Sequence, residues 1–321
     1  MKNLIPMRKT SVIALLIAAG FAAQAQAQTS NVTLYGYLDL GLVKESNTPT
    51  KLNKGYNNWL GFKGSEDLGG DLSALFNVQM RFNPDTGAQE RATTLFQGET
   101  TVGLKSKAMG TLRIGRALTP LWAEKWAYDP WYDSAFMGSL ANYNGDFDSD
   151  GLPTTDYHNY ARVANAAFYS SPSLSGFQLH AEAEVELPTG AKTRSKGVSL
   201  NYANGPLSAM LSFEKNHVED DIAYLGGSYN LGAFTVMGSY SKTNFDATST
   251  KLTSTMLAGT YALGADTVRL GYGRIKESGN HKVGLGYNHP LSKRTNVYAD
   301  IYREKTTDSM NGIAFGMNHT F

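Results

Sequence analysis

The amino-acid sequence predicts an all-β protein, a 16-stranded antiparallel transmembrane β-barrel. Three observations lead to this prediction. Apolar and polar residues alternate with a period of two along nearly all of the chain after residue 27, as in strands with one apolar face and one face in contact with water. Seven tight turns alternate with longer polar loops. The segments between them show no amphipathic helical periodicity.

The first 27 residues are predicted to be a secretory signal peptide. Three cations precede an apolar run from Ser11 to Ala23, and Ala25–Ala27 fits the small-x-small cleavage pattern. A membrane anchor is the alternative, but a spanning helix needs about 20 apolar residues and this run is shorter. Residues 28–321 are therefore the predicted barrel domain, and cleavage changes the formal charge from +1 to −2.

Composition excludes several classes of protein. The chain has 321 residues, with 29 Lys+Arg, 28 Asp+Glu and no Cys. This balance argues against a protein that binds nucleic acid through a large net positive charge, and the absence of Cys excludes a fold held together by disulfide bonds. A mean hydropathy of −0.31 excludes a polytopic helical membrane protein.

The predicted strands follow one another with the same alternation. In the first strand, Val32, Leu34, Leu38 and Leu40 alternate with polar or aromatic neighbours. The later strands centre on Leu72 to Met80, Phe177 to Val185, Val198 to Tyr202, Phe234 to Tyr240, Val268 to Tyr272, Val283 to Tyr287, Val297 to Ile301 and Ile313 to Phe321.

The tight turns set the strand number. They lie at Glu66–Gly70, Ser106–Gly110, Ser171–Gly176, Ala203–Pro206, Asn230–Ala233, Ala262–Ala265 and Asn288–Leu291. If all seven lie at one end, they join strands in pairs, and the two terminal strands bring the total to sixteen. A stack of soluble β-sandwiches is the alternative. It fits less well, because the apolar residues are spread thinly over all the strands rather than gathered into one core.

One interval between successive tight turns is longer than the others. The chain from Gly110 to Ser171 is about twice as long as the usual spacing, and Ala117 to Ala161 shows no sustained alternation. Long loops in a compact design are usually functional.

Several motifs resemble the general porins of Gram-negative bacteria, in particular the neisserial and β-proteobacterial branch. They are Asn31–Gly36, Gly61–Gly70, Gly110–Arg116, Tyr202–Leu207 and the terminal Phe321. Each motif is weak alone, but their order together with the terminal aromatic residue is specific. The resemblance covers essentially the whole mature chain.

The resemblance implies a water-filled channel in the outer membrane for passive diffusion of ions and small hydrophilic solutes. It implies a homotrimer and an inward-folded third extracellular loop, whose place is taken here by Ala117–Ala161. The implied partners are outer-membrane lipid, lipopolysaccharide and the barrel-insertion machinery, for which Phe321 would be the signal. No catalytic residue, cofactor, metal or nucleic acid is expected.

The candidate pore constriction combines wall residues with loop acids. The resemblance implies arginines opposite an acidic loop, with a transverse field between them. Arg162 matches one such arginine, strand parity points Arg81 and Arg113 inward, and Trp59 and Gly98 replace arginines at two other positions. The candidates are Trp59, Arg81, Arg113, Arg162, Glu124, Asp129 and Asp133. Seven acids against Lys125 in this loop predict a weak cation preference.

Alternative functions have weaker support. The aromatic residues of the long loop would suit a substrate-selective porin on the same scaffold, although packing of the loop is the favoured interpretation. A barrel hydrolase is unlikely, because the six His are scattered and no nucleophile motif is present. Asp146–Gly151 resembles the opening of a calcium loop, but Tyr157 replaces the Glu expected at its twelfth position, so a solvated acidic loop is predicted.

Overall fold

A computed structural model describes residues 30–55, 57–132, 138–145 and 161–321. The predicted signal peptide, Asp133 and the acidic run at 146–150 lie outside the described residues. No helix among the described residues is long and apolar enough to cross a membrane.

The described chain is almost entirely β-structure. The strands are β1 Ser30–Glu45, β2 Lys51–Asn53, β3 Asn58–Gly69, β4 Leu72–Phe82, β5 Glu99–Ser106, β6 Gly110–Leu118, β7 Arg162–Ser170, β8 Phe177–Glu184, β9 Lys196–Asn204, β10 Leu207–Lys215, β11 Asp221–Asn230, β12 Phe234–Phe245, β13 Thr250–Leu263, β14 Asp266–Ile275, β15 His281–Pro290, β16 Thr295–Lys305 and β17 Ser309–Thr320. The helices are α1 Pro120–Glu124 and two 3₁₀ turns, Lys125–Tyr128 and Ala141–Tyr143.

The strands form one closed antiparallel sheet. From β3 onward each strand pairs with the next along the chain, and β1 pairs with β17 from Tyr37↔Thr320 to Glu45↔Gly312. The short β2 lies beside β1 on the same side as β3, so it extends that strand rather than adding another. The barrel therefore has sixteen strands, which confirms the prediction and excludes the β-sandwich alternative.

Strand parity separates an apolar outer face from a polar inner one. On β1, Leu34 and Leu38 point outward and are 53% and 40% exposed, whereas Asp39 points inward and is 1% exposed. Outward apolar residues are similarly exposed on the other strands, as expected of side chains that lipid would cover.

The two ends of the barrel differ in their connections. All seven predicted tight turns join strands at one end, and the longer loops lie at the other. In the turn between β13 and β14, Gly264 has a φ of +64°, a left-handed conformation that glycine adopts without strain. The third long connection joins β6 to β7 through residues 119–161, within one or two residues of the predicted loop.

The last residue completes the seam between the terminal strands. The Phe321 N–H donates to the Gly36 carbonyl oxygen at 3.1 Å, and the Gly36 N–H donates to the Phe321 carbonyl oxygen at 3.0 Å. The Phe321 ring covers Gly36 so closely that a Cβ there would collide with it. The terminal aromatic residue is therefore part of barrel closure.

Candidate pore constriction

A wall of aromatic and cationic side chains lies inside β1, β3 and β4 near the loop end. Trp59 and Arg81 are direct partners in the β3–β4 register. The Trp59 ring stacks on Tyr37, with centroids 4.9 Å apart and planes 17° from parallel. Arg81 is 9% exposed, and its Nε has no hydrogen-bond partner among the described residues. Two sequence-predicted candidates, Trp59 and Arg81, therefore lie together.

Three more arginines gather near Arg81. Arg116 interacts electrostatically with both Arg81 and Arg91. The Arg116 Nε donates to the Gln97 carbonyl oxygen at 3.2 Å, and the Arg162 Nε donates to the carbonyl oxygen of the next residue, Gly98, at 2.9 Å. Arg81, Arg91, Arg116 and Arg162 are called the arginine group below. Parity reasoning on the sequence missed Arg91, which is in a loop, and Arg116, which adjoins a β-bulge.

Glu90, an acid that interacts with Arg81, is paired with a lysine. Glu90 forms an ion pair with Lys54 and accepts a hydrogen bond from the Gln97 amide at 2.7 Å. Burial pushes the pKa of Glu90 upward, but its hydrogen bond and attraction to Lys54, aided by Arg81, outweigh burial and hold that pKa below its usual value. Glu90 stays ionised at neutral pH, where it pairs with Lys54 and also attracts Arg81.

The candidate Arg113 has a different environment. Its guanidinium forms an ion pair with Glu99 and lies 5.7 Å from the centre of the Phe168 ring. The Glu99 carboxylate also accepts hydrogen bonds from Asn77 at 2.9 Å and Thr101 at 2.7 Å. Arg113 therefore faces a neighbouring carboxylate that compensates its charge.

The two described loop acids from the candidate set hold the loop itself. Glu124 accepts a hydrogen bond from the Asn201 amide on β9 at 3.0 Å and lies 3.9 Å from His180 Nε2 on β8. Asp129 is 1% exposed, and its two oxygens accept hydrogen bonds from the backbone N–H groups of Trp131 at 2.9 Å and Leu140 at 3.3 Å. Burial raises the pKa of Asp129 to about 7 despite these donors.

The loop has its own buried core around a lysine. Lys125 is completely buried, and its ammonium lies 4.0 Å and 4.4 Å from the ring centres of Trp122 and Trp126. The same ammonium donates to the Asn144 carbonyl oxygen at 3.2 Å, which links the two described parts of the loop. Trp122, Trp126, Tyr128 and Trp131 are all buried, which confirms the packing interpretation for these four residues, whereas Tyr132 is 56% exposed.

Hydrogen bonds tie the loop to inward side chains on the far wall. The Leu121 N–H donates to Glu214 at 2.7 Å, the Trp131 indole N–H donates to Asp300 at 2.9 Å, and the Tyr143 hydroxyl donates to Glu304 at 2.7 Å. From the wall, the hydroxyls of Tyr224 and Ser239 donate to the Asn144 side-chain oxygen at 2.8 Å and 2.6 Å. The described parts of the loop thus lie against β10–β16 and donate hydrogen bonds to carboxylates on β10 and β16.

Inward glycines make room for these contacts. Gly271 and Gly284 are register partners on β14 and β15, and a Cβ on either would collide with Leu140 or with the Gly138 backbone. Gly273 and Gly286, at the next inward positions, face Tyr143 and Trp131 in the same way. These four glycines, Gly271, Gly273, Gly284 and Gly286, are called the glycine track below, and they were not predicted from the sequence. The signal of the track is a pair of glycines two residues apart on each of two consecutive strands.

Comparison with known proteins gives one consistent result. The family model described as Gram-negative porin matches residues 11–309. An outer membrane porin protein of Bordetella pertussis is 28% identical, over 91% of this chain and 93% of its own length. Outer membrane porin protein 32 of Delftia acidovorans is 28% identical, over 94% and 91%. An anion-selective porin from Comamonas acidovorans has a solved structure with a TM-score of 0.76 and 27% identity, covering 91% of this chain and 100% of that one.

Proposed function

Because this chain belongs to the Gram-negative porin family, we propose that the space between the arginine group and the loop of residues 119–161 is its pore constriction. The protein is an outer-membrane porin, and its barrel forms a water-filled channel for passive diffusion of ions and small hydrophilic solutes. The relatives also confirm the resemblance to the neisserial and β-proteobacterial branch.

At this constriction we propose a preference for anions. The observation that carries the proposal is the unequal state of the charges. Asp129 is buried within the loop and its pKa is raised to about 7, Glu90 is paired with Lys54, and Glu124 keeps its charge beside Asn201 and His180. Against these stand the four positive charges of the arginine group, which lie near one another. Fixed positive charge at a narrow, low-dielectric passage lowers the barrier for anions and raises it for cations.

This proposal reverses the preference expected from sequence alone, which counted every acid of the loop as facing the pore. The solved relative from Comamonas acidovorans is titled anion-selective, which favours the reversal. The candidate Trp59 has a place in the same scheme. Trp59→Arg would add a cation opposite Arg81 and should strengthen the preference.

Reversal potentials across a KCl gradient in planar bilayers test the proposal. Salt should stay at or below about 0.1 M, where charges are screened only beyond about 10 Å. The unmodified channel should show an anion-directed potential, Arg81→Gln should reduce it, and Lys293→Gln in a tight turn should leave it unchanged. A cation-directed potential in the unmodified protein would contradict the proposal and would mean that the acids of the loop determine the ion preference.

Solute range and chemical inertness are further parts of the proposal. We propose general rather than substrate-selective transport, with no bond broken in the solute. Liposome swelling should then order sugars, amino acids and aromatic acids by size and charge alone. An ester or peptide hydrolysis assay in detergent should show no turnover.

Trimeric assembly is also proposed, on the strength of the family resemblance. On unheated SDS gels the protein should migrate at about three times its denatured mass, and crosslinking after mild extraction should give the same species. Migration as a monomer in both experiments would rule out a stable trimer.

A further inference from the structure

Helix α1 covers a patch of buried polar side chains on the barrel wall. The helix packs against β8, β9 and β10. In the part of the chain that the structure describes, six polar side-chain atoms on the helix and these strands are buried and have no hydrogen-bond partner. They are Trp122 Nε1 on the helix, His180 Nε2 and Glu182 Oε2 on β8, Ser199 Oγ and Asn201 Oδ1 on β9, and Glu214 Oε2 on β10. Buried polar atoms normally have partners, so six of them in one patch call for a physical explanation.

Two of these atoms belong to carboxylates that lie on either side of Gly197. In the strand register, Gly197 pairs with Glu182 on β8 and with Glu214 on β10. A Cβ on Gly197 would lie only 2.9 Å from Glu214 Oε1, so the Glu214 carboxylate extends over the glycine towards β8. Glu182 and Glu214 are each 4% exposed, and their charges repel each other. Two negative charges buried so close together cost free energy unless a proton or a cation lies between them.

The second oxygen of each carboxylate is held by the protein. Glu182 Oε1 accepts a hydrogen bond from the Ser195 hydroxyl at 2.9 Å, and Glu214 Oε1 accepts one from the Leu121 N–H at 2.7 Å. The Thr119 hydroxyl also donates to Glu214. These bonds fix both carboxylates and leave Oε2 of each without a donor among the described residues. Because Thr119 and Leu121 lie at the start of the loop, a ligand between the two carboxylates would also hold the loop there.

Ser199 adds an uncharged oxygen from the strand between the two acids. It lies at the next inward position after Gly197 on β9, and its side chain is completely buried. Its Oγ has no hydrogen-bond partner within the described ranges. No group of three or more His, Cys, Asp or Glu side chains among the described residues is arranged to hold a metal ion. A cation between Glu182 and Glu214 would therefore take this hydroxyl as its third protein ligand.

Lys125 does not neutralise this pair of carboxylates. It attracts Glu214, but its ammonium packs against two indole rings and donates to the Asn144 carbonyl oxygen. None of the ion pairs among the described residues includes Glu182 or Glu214. The two carboxylate charges therefore match a divalent cation held between them.

We propose that Glu182, Ser199 and Glu214 bind one calcium ion, which fixes helix α1 and the start of the loop to the barrel wall. All three donors are oxygens, the ligand type that Ca²⁺ prefers. Ca²⁺ also tolerates the irregular geometry of ligands from three strands. Mg²⁺ requires a near-ideal octahedron and keeps several waters, for which a buried site has little space. Sequence analysis predicts no metal, because these ligands have no characteristic spacing along the chain.

Calcium bound to the purified, detergent-solubilised protein tests the proposal. By elemental mass spectrometry, the unmodified protein as isolated should hold one more calcium ion per chain than E182Q. After dialysis against a chelator, titration with Ca²⁺ should give a dissociation constant of about 10⁻⁴ M or tighter. E182Q should lose on the order of 100-fold in affinity, because it removes a charged ligand while keeping an acceptor for Ser195.

Two further variants separate this site from other acids and from a purely structural role. The matched control, D146N/D148N, removes two carboxylates from the acidic run that resembles a calcium loop in the sequence, and it should bind Ca²⁺ at this site as the unmodified protein does. S199A should lose about tenfold in affinity. If no cation were bound here, S199A would only remove a buried hydroxyl without a partner and would leave calcium binding unchanged.

Equal calcium content in E182Q and the unmodified protein, or loss of binding in D146N/D148N instead, would overturn the proposal. A heat-denaturation temperature that does not respond to Ca²⁺ and rises only as the pH falls would also overturn it, because a proton would then neutralise the pair. Folding of the variants is checked by heat-modifiable migration on SDS gels. If E182Q does not fold, E214Q and S199A are measured in its place, and unchanged affinity in both would overturn the proposal.

Discussion

At the scale of single residues, Lys125 shows how a charge can hold a loop together. Its ammonium packs against Trp122 and Trp126 and donates to the Asn144 carbonyl oxygen, so one side chain joins both described parts of the loop. A cation over an indole ring is stabilised most when water is excluded, as it is here.

We expect Lys125→Met to loosen the loop without emptying its core. Methionine fills a similar volume but cannot donate, which leaves the Asn144 carbonyl oxygen short of a donor at a cost of about 1–3 kcal/mol. Single-channel recordings should show more frequent brief closures. Lys192→Met is the control, because that exposed lysine pairs with Asp246 at the surface and its ion pair should contribute little to stability. An equal frequency of brief closures in both variants would contradict the role of Lys125.

Asp129 should make loop stability depend on pH. Burial raises its pKa in the folded protein from 3.8 to about 7, so protonation favours the folded state. This contribution is fully present below about pH 4 and is lost as the pH rises through about 7. The heat-denaturation temperature should therefore rise between pH 8 and pH 6 more in the unmodified protein than in Asp129→Asn. Parallel pH profiles for the two proteins would refute the prediction.

At the scale of secondary structure, period-two alternation predicts the strands, and the seven tight turns predict their number. On β1, for example, Leu34, Leu38 and Asp39 have the faces that the pattern assigns. The sequence predicts where the loop lies along the chain, but it does not predict the conformation of the loop. The partners of Glu124 and Asp129 could not be predicted from the sequence, because nothing local to these residues reveals Asn201 or the Leu140 N–H. Such long-range contacts have no periodic signature.

The glycine track on β14 and β15 should set how far the loop projects into the lumen. Gly284→Val places a branched side chain where the Gly138 backbone lies, so we expect the loop to shift inward and the single-channel conductance to fall. Gly227→Ala is the control, because a Cβ there meets only the Ser208 carbonyl oxygen at 3.5 Å. Unchanged conductance in the valine variant would show that the loop is placed by its hydrogen bonds alone.

At the scale of the whole molecule, the seam between β1 and β17 makes one continuous sheet without edges. Exposed strand edges promote aggregation, and closure removes them. The nine register pairs from Tyr37↔Thr320 to Glu45↔Gly312 and the Gly36–Phe321 hydrogen bonds extend this seam to the last residue.

Phe321→Ala should reduce barrel insertion while leaving export intact. The substitution keeps the backbone hydrogen bonds to Gly36 but removes the ring that covers it, and a terminal aromatic residue is the expected insertion signal. Immunoblots of outer-membrane and periplasmic fractions should show less heat-modifiable barrel and more soluble chain. Met317→Ala, an outward substitution on the same strand, should insert normally. Normal barrel levels for the Phe321 variant at high expression would show that the ring is dispensable.

The seam also dictates when this molecule can be assembled. The first strand finds one of its two partners only in the last, so a chain still emerging from the ribosome or the export channel cannot satisfy the edges of its sheet. Pairing across so many intervening residues is slow, since loop-closure entropy must be overcome before the contacts form. The nascent porin therefore cannot close its barrel until the last strand is available, and a chain that lacks this strand leaves one edge of β1 unpaired.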